Sequence, residues 1–130
     1  MRLFTALMIL VLVPAASGAQ TQADLNQTAC GEFEQADQTL NRVYQQIRQR
    51  YQGDNDFLDK LKRSQRAWIA FRDAELEALY PDENKQISYG SIYPMCVCGE
   101  QARLTQDRIN QLRRWLDVEE GDGCAGSRRP

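Results

Sequence analysis

The chain of 130 residues contains no histidine. This absence removes the side chain that most often acts as a general acid or base and that most often activates a serine or cysteine nucleophile. The sequence also lacks any sustained alternation of apolar and polar residues, which is the pattern of a half-buried strand. An all-α fold and a non-enzymatic function are therefore predicted.

The only long apolar run, Leu3 to Val13, is too short for a membrane span, which needs about 20 residues. It follows Arg2 and precedes Ser17-Gly18-Ala19, the arrangement of a cleavable signal peptide. We expect residues 1–19 to be a signal peptide and residues 20–130 to be one mature domain without a membrane anchor. The predicted location is periplasmic or secreted.

Charge of one sign does not dominate the sequence, since 16 basic residues oppose 18 acidic ones. Removal of Arg2 with the leader makes the mature domain slightly more acidic. Such a balance argues against nucleic acid and anionic membranes as partners, and it is compatible with a basic protein partner.

Cysteine is present four times, and all four residues follow the leader: Cys30, Cys96, Cys98 and Cys124. Because an exported chain meets an oxidising environment, two disulfides are predicted rather than a metal site, and no cofactor is expected. A Cys96–Cys98 bridge would close a very tight ring. We therefore expect one of these two to pair with Cys30 and the other with Cys124, with the choice open.

Apolar residues recur at three- and four-residue spacing in three segments, which predicts helices over 32–52, 57–79 and 94–118. The polar cluster at 53–56 separates the first two. Residues 20–29 are predicted to be loosely held and residues 126–130 to be frayed. The predicted fold is a small antiparallel three-helix bundle stapled by two disulfides.

Two of these helices carry a Gln and an Arg seven residues apart within the apolar stripe. A guanidinium facing a core needs carboxylates or hydrogen-bond acceptors to offset its desolvation. A structural polar network is predicted, with the members Asp37, Asn41, Gln65, Arg72, Glu75, Gln101 and Arg108. The alternative is that the same groups open onto a cleft and bind a charged ligand.

The segment between the second and third helices has no periodicity and contains an aromatic, glycine-containing loop at 88–94. Four residues of the loop are candidates for partner binding: Tyr89, Gly90, Ser91 and Tyr93. Tyrosines on a loop provide large contact area at small entropic cost. The alternative is that Ile92 and Tyr93 close the open end of the bundle.

Four stretches resemble the LprI-type lysozyme-inhibitor domain family: residues 36–44, 65–75, 90–94 and 104–108. The resemblance implies an exported, helical, cysteine-containing domain that binds and blocks a lysozyme. Family members often have a cysteine at the position of Leu76, so the family's disulfide pattern cannot be transferred to this chain.

Two other functions compete with lysozyme inhibition. One is a general envelope interaction or stress module that binds some other protein or a peptidoglycan fragment. The other is a small hydrolase that cleaves glycosidic bonds with paired carboxylates, for which the candidates are unspecific: Glu32, Glu34, Asp37, Asp73 and Glu75.

Overall fold

The computed structural model describes residues 18–130, and within this range all regular structure is helical. The elements are α1 (Gln22–Arg50), α2 (Asn55–Leu79), α3 (Lys85–Tyr89), a 3-10 turn (Gly90–Ile92) and α4 (Tyr93–Arg113). The all-α prediction is confirmed. Of the predicted signal peptide, residues 1–17 lie outside the described residues. Nowhere in 18–130 does a helix combine the length and apolar character that crossing a membrane requires.

Helix α1 begins ten residues earlier than predicted. Thr21 caps it: the Thr21 hydroxyl accepts from the Asp24 backbone N–H (3.2 Å), while the Asp24 carboxylate accepts from the Thr21 backbone N–H (2.9 Å). This reciprocal capping box fixes a polar segment that has no apolar stripe. The expectation of a loosely held 20–29 segment was wrong.

Helices α1 and α4 run parallel and are joined near both ends. Near the start of each helix lies the disulfide between Cys30 and Cys98. At the other end, the Tyr51 hydroxyl donates to the Trp115 carbonyl oxygen at 3.1 Å. Because α1 and α4 run in the same direction, the chain must return between them, and the antiparallel helix α2 makes this return.

Helix α2 packs antiparallel to α4. Its first turn contacts the end of α4, where the Phe57 and Trp115 rings lie 4.7 Å apart, and its middle contacts α4 through Gln65 and Arg108. The shared core consists of Leu40, Val43, Ile47, Tyr51, Phe57, Leu61, Ile109 and Leu112. The predicted three-helix arrangement thus agrees with the structure.

The C-terminal tail folds back over the end of the bundle, so the expectation of frayed residues 126–130 was wrong. Helix α4 stops at Arg113 rather than at 118. The Arg129 guanidinium lies 5.1 Å from the Tyr51 ring centroid and pairs with the Asp54 carboxylate at 2.7 Å. Charge and aromatic contacts, which no helical periodicity reveals, hold the tail in place.

One disulfide forms instead of two. Cys30 is bonded to Cys98, while Cys96 and Cys124 are free. Residues two apart on a helix point in nearly opposite directions, so Cys96 faces away from α1. The tail that carries Cys124 lies at the far end of α4, about 25 Å from Cys96 at 1.5 Å per residue. The predicted second disulfide is therefore not formed, because the two free thiols lie too far apart.

Candidate functional site

The connection between α2 and α4 brings the four predicted partner-binding residues together. It is more ordered than a loop, because α3 and the 3-10 turn occupy residues 85–92. Asn84 caps α3, its side chain accepting from the Ile87 backbone N–H at 3.1 Å. We call residues 80–93 the tyrosine knob.

Three tyrosines form the framework of the tyrosine knob. Ring centroids lie 5.2 Å apart between Tyr80 and Tyr89, 5.1 Å between Tyr80 and Tyr93, and 5.8 Å between Tyr89 and Tyr93. The Tyr89 hydroxyl also donates to the Asp82 carboxylate at 2.9 Å. Mutual packing of this kind stabilises a small structure beyond its buried area. The sequence analysis missed Tyr80, although its place just before Pro81 sets it at the turn that faces the other two tyrosines.

The backbone of the tyrosine knob is fixed at two points. Gly90 has φ +71° and ψ −166°, a conformation essentially restricted to glycine. The next residue, Ser91, accepts a hydrogen bond through its carbonyl oxygen from the Asn26 side-chain amide of α1 at 3.0 Å. The early start of α1 therefore supports the candidate site directly.

Apolar side chains project from this framework into solvent. Ile87 is 81% exposed and Ile92 is 44% exposed. Tyr93 packs into the tyrosine framework, whereas Ile92 does not close the end of the bundle. An exposed isoleucine on an ordered turn is a candidate contact residue that the sequence analysis did not select.

Behind the hydroxyl of Tyr80 lies the half-buried thiol of Cys96. Desolvation raises the pKa of Tyr80, and Cys96 and Glu100 add to this rise. The Tyr80 hydroxyl is therefore neutral at physiological pH.

Arg108, one of the two arginines predicted to face inward, has only uncharged hydrogen-bond partners within residues 18–130. Its guanidinium donates to Gln65 Oε1, Ser64 Oγ and Gln111 Oε1, each at 3.0 Å. Burial lowers the pKa of Arg108, which is the expected direction for a cation without an acidic neighbour.

Arg72 is the other arginine that was predicted to face inward. Its guanidinium pairs with the adjacent Asp73 carboxylate at 2.7 Å and lies 5.4 Å from the Trp68 ring centroid. The predicted carboxylate partners were wrong: within residues 18–130, neither Asp37 nor Glu75 bonds to either arginine. Glu75 is exposed, because α2 buries the next residue, Leu76, in its place.

Four members of the predicted network meet elsewhere, in a groove between α1 and α2. Asp37 and Asn41 from α1 face Gln65 and Arg72 from α2 across a space of about 190 Å³. Gln101 is half-buried on α4 and does not line this groove. We call this space the α1–α2 groove.

Metal-binding geometry is absent from residues 18–130, where no three Cys, Asp or Glu side chains converge around a common point. The molecule has the features of a small helical scaffold that displays an ordered turn at one end and a polar groove on one side.

The sequence matches one family of known proteins over most of its length. Residues 14–112 match the family described as Lysozyme inhibitor LprI. The chain belongs to the LprI lysozyme-inhibitor family. It is also similar to an uncharacterized protein of Rhizobium meliloti (strain 1021), with 33% identity over 118 residues and 82% of each chain covered. No solved structure matches the chain.

Proposed function

We propose that this protein is exported and inhibits a lysozyme by direct binding through the tyrosine knob, without catalysis of its own. Membership of the LprI family supports the inhibitory function. The observation that carries the choice of surface is the exposure of Ile87 and Ile92 on an ordered tyrosine framework.

Order in the free protein favours tight binding. A turn that is already held by the three packed tyrosines and by Asn26 loses little conformational entropy when a partner docks. Exposed isoleucines at its tip contribute buried apolar area, and aromatic residues beside them are typical of binding hot spots.

The charge of the tyrosine knob also favours binding to a lysozyme. Asp82 and Glu83 are exposed in the tyrosine knob, and the single cation there, Lys85, directs its ammonium group to the Tyr80 carbonyl oxygen. C-type lysozymes are basic proteins, so an acidic rim around an apolar tip increases the rate of encounter.

Titration of residues 20–130 against a C-type lysozyme on a cell-wall suspension tests the proposal. We expect clearing to be blocked, and we expect the protein alone to leave the suspension intact. Ile87→Ser should raise the concentration for half-inhibition about fivefold or more, the loss typical of an interface hot spot. Phe71→Ser, which changes an apolar residue that is 52% exposed on α2 and lies in neither the tyrosine knob nor the α1–α2 groove, is the matched control and should inhibit like the unchanged protein.

Full lysozyme activity at a large molar excess of the protein would overturn the inhibitory function. Inhibition that Ile87→Ser and Ile92→Ser leave unchanged would overturn the assignment to the tyrosine knob. Spontaneous clearing by the protein alone would identify a hydrolase instead.

A further inference from the structure

The α1–α2 groove lies apart from the tyrosine knob and has a different composition. No residue that lines it belongs to residues 80–93. Its apolar wall comprises Leu40, Tyr44, Trp68 and Ile69, and the other lining residues are polar or charged. A space of about 190 Å³ is smaller than a drug-sized pocket, which typically begins near 300 Å³.

The lining is cationic on a protein of net negative charge. Lys62, Arg66 and Arg72 all come from α2, and within residues 18–130 Asp37 of α1 is the only acidic group that lines the groove. The whole chain has a formal net charge of −2. A local concentration of positive charge in a concave site attracts small anions.

Hydrogen-bonding capacity in the groove is unused within residues 18–130. Arg72 bonds to Asp73 through Nε and Nη2, which leaves Nη1 available. Gln65 accepts from Arg108 through its oxygen, which leaves its NH₂ group available.

Arg72 is also held in place before any ligand arrives. Its side chain is only 17% exposed, between the Asp73 carboxylate and the Trp68 ring. A guanidinium with a fixed orientation recognises the planar carboxylate group better than a mobile lysine does.

We propose that the α1–α2 groove binds a small saccharide that bears a carboxylate. The carboxylate would meet Arg66 and Arg72, while the amide groups of Asn41 and Gln65 would bond to the hydroxyl and amide groups of the sugar. The wall of Tyr44 and Trp68 would contact the less polar face of the ring. This proposal is independent of lysozyme inhibition, because it concerns a different surface.

Two sugars that differ by a single lactyl carboxylate provide the test. The protein is titrated at low salt with N-acetylmuramic acid and, separately, with N-acetylglucosamine, and amide chemical shifts are followed by NMR. We expect N-acetylmuramic acid to shift the amides of residues 37–44 and 65–72 in a saturable way. N-acetylglucosamine should bind at least about fivefold more weakly, since it lacks the charged group.

Arg66→Gln should weaken the binding of N-acetylmuramic acid about fivefold. Arg63→Gln is the matched control, because Arg63 is also exposed on α2 but does not line the groove, and it should bind like the unchanged protein. Both changes are at exposed positions, so the fold should be preserved.

The proposal would be overturned by the absence of saturable shifts with N-acetylmuramic acid, by equal binding of the two sugars, or by equal weakening by the two substitutions. An N-acetylated dipeptide with a free carboxylate distinguishes a sugar site from a general carboxylate site. If this peptide bound in the groove as tightly as N-acetylmuramic acid, the saccharide assignment would be wrong.

Discussion

Arg108 donates through Nε to Gln65 Oε1 at 3.0 Å, and this bond joins α4 to α2 with a neutral partner. The half-buried guanidinium donates to three side-chain oxygens, and no carboxylate within residues 18–130 accepts from it. A buried ion pair and a buried cation among dipoles respond differently to substitution, so the arrangement has a measurable consequence.

Substitution of Arg108 by Met should change the free energy of unfolding by less than about 1.5 kcal/mol, since no opposite charge is left buried and apolar contacts replace the lost hydrogen bonds. Breaking a buried ion pair would cost about 3–5 kcal/mol instead. Urea denaturation measures the difference, with Arg48→Met on the exposed side of α1 as the control. A loss above 3 kcal/mol would show that an acidic partner was overlooked.

The disulfide joins parts of the chain that are 68 residues apart. Replacement of both Cys30 and Cys98 by Ser should lower the free energy of unfolding by about 4 kcal/mol, from the loop-closure entropy of a loop of this length. Hydrogen exchange should show the largest loss of protection in the first turns of α1. Cys124→Ser, at an exposed free thiol, should leave the urea midpoint unchanged, and a large shift there would imply a second bridge.

Thr105 is fully buried, and its hydroxyl oxygen has no hydrogen-bond partner within residues 18–130. Thr105→Val should raise the stability by about 1 kcal/mol, because an unsatisfied buried hydroxyl is removed at almost constant shape. The melting temperature should rise by roughly 4 °C. Thr39→Val is the matched control, since the Thr39 hydroxyl bonds to the Gln35 carbonyl oxygen and to Arg42; it should bring no gain.

Arg129 connects the tail to the end of the bundle through Tyr51 and Asp54. Arg129→Ala should lower the stability by about 1 kcal/mol, the magnitude of a solvent-exposed cation–π contact with an ion pair. The near-ultraviolet circular dichroism of the aromatic cluster should change at the same time. Arg114→Ala, at an exposed position after α4, should alter neither, and an unchanged spectrum for both variants would mean that the tail is detached in solution.

The helical class, the three long helices and a break between the first two could be predicted from the sequence, because each depends on local periodicity and capping. The break lies at 51–54 rather than at 53–56, since Asp54 caps α2 and Asn55 already belongs to the helix. The start of α1 was missed because residues 22–31 lack an apolar stripe. What holds them is a capping box at Thr21 and contacts to the distant residues Ser91 and Cys98. Contacts over such sequence distances cannot be obtained from spacing.

The predicted polar network also shows that sequence spacing does not identify side-chain partners. Periodicity placed Arg72 and Glu75 on the inward side of α2, and it was right that Arg72 is mostly covered. It could not determine that Asp73 would reach back along the same helix to the guanidinium. A difference of one residue in the rotation of a helix decides which carboxylate is within hydrogen-bonding distance.

The disulfide between α1 and α4 determines how the chain responds to a single protease cut. A single cut after Glu83, in the exposed turn that follows α2, separates the polypeptide into an N-terminal piece that contains Cys30 and a C-terminal piece that contains Cys98. The disulfide keeps the two pieces covalently linked, and the core residues that they share favour their continued association. A nicked molecule would therefore migrate as one species on a denaturing gel until a reductant is added.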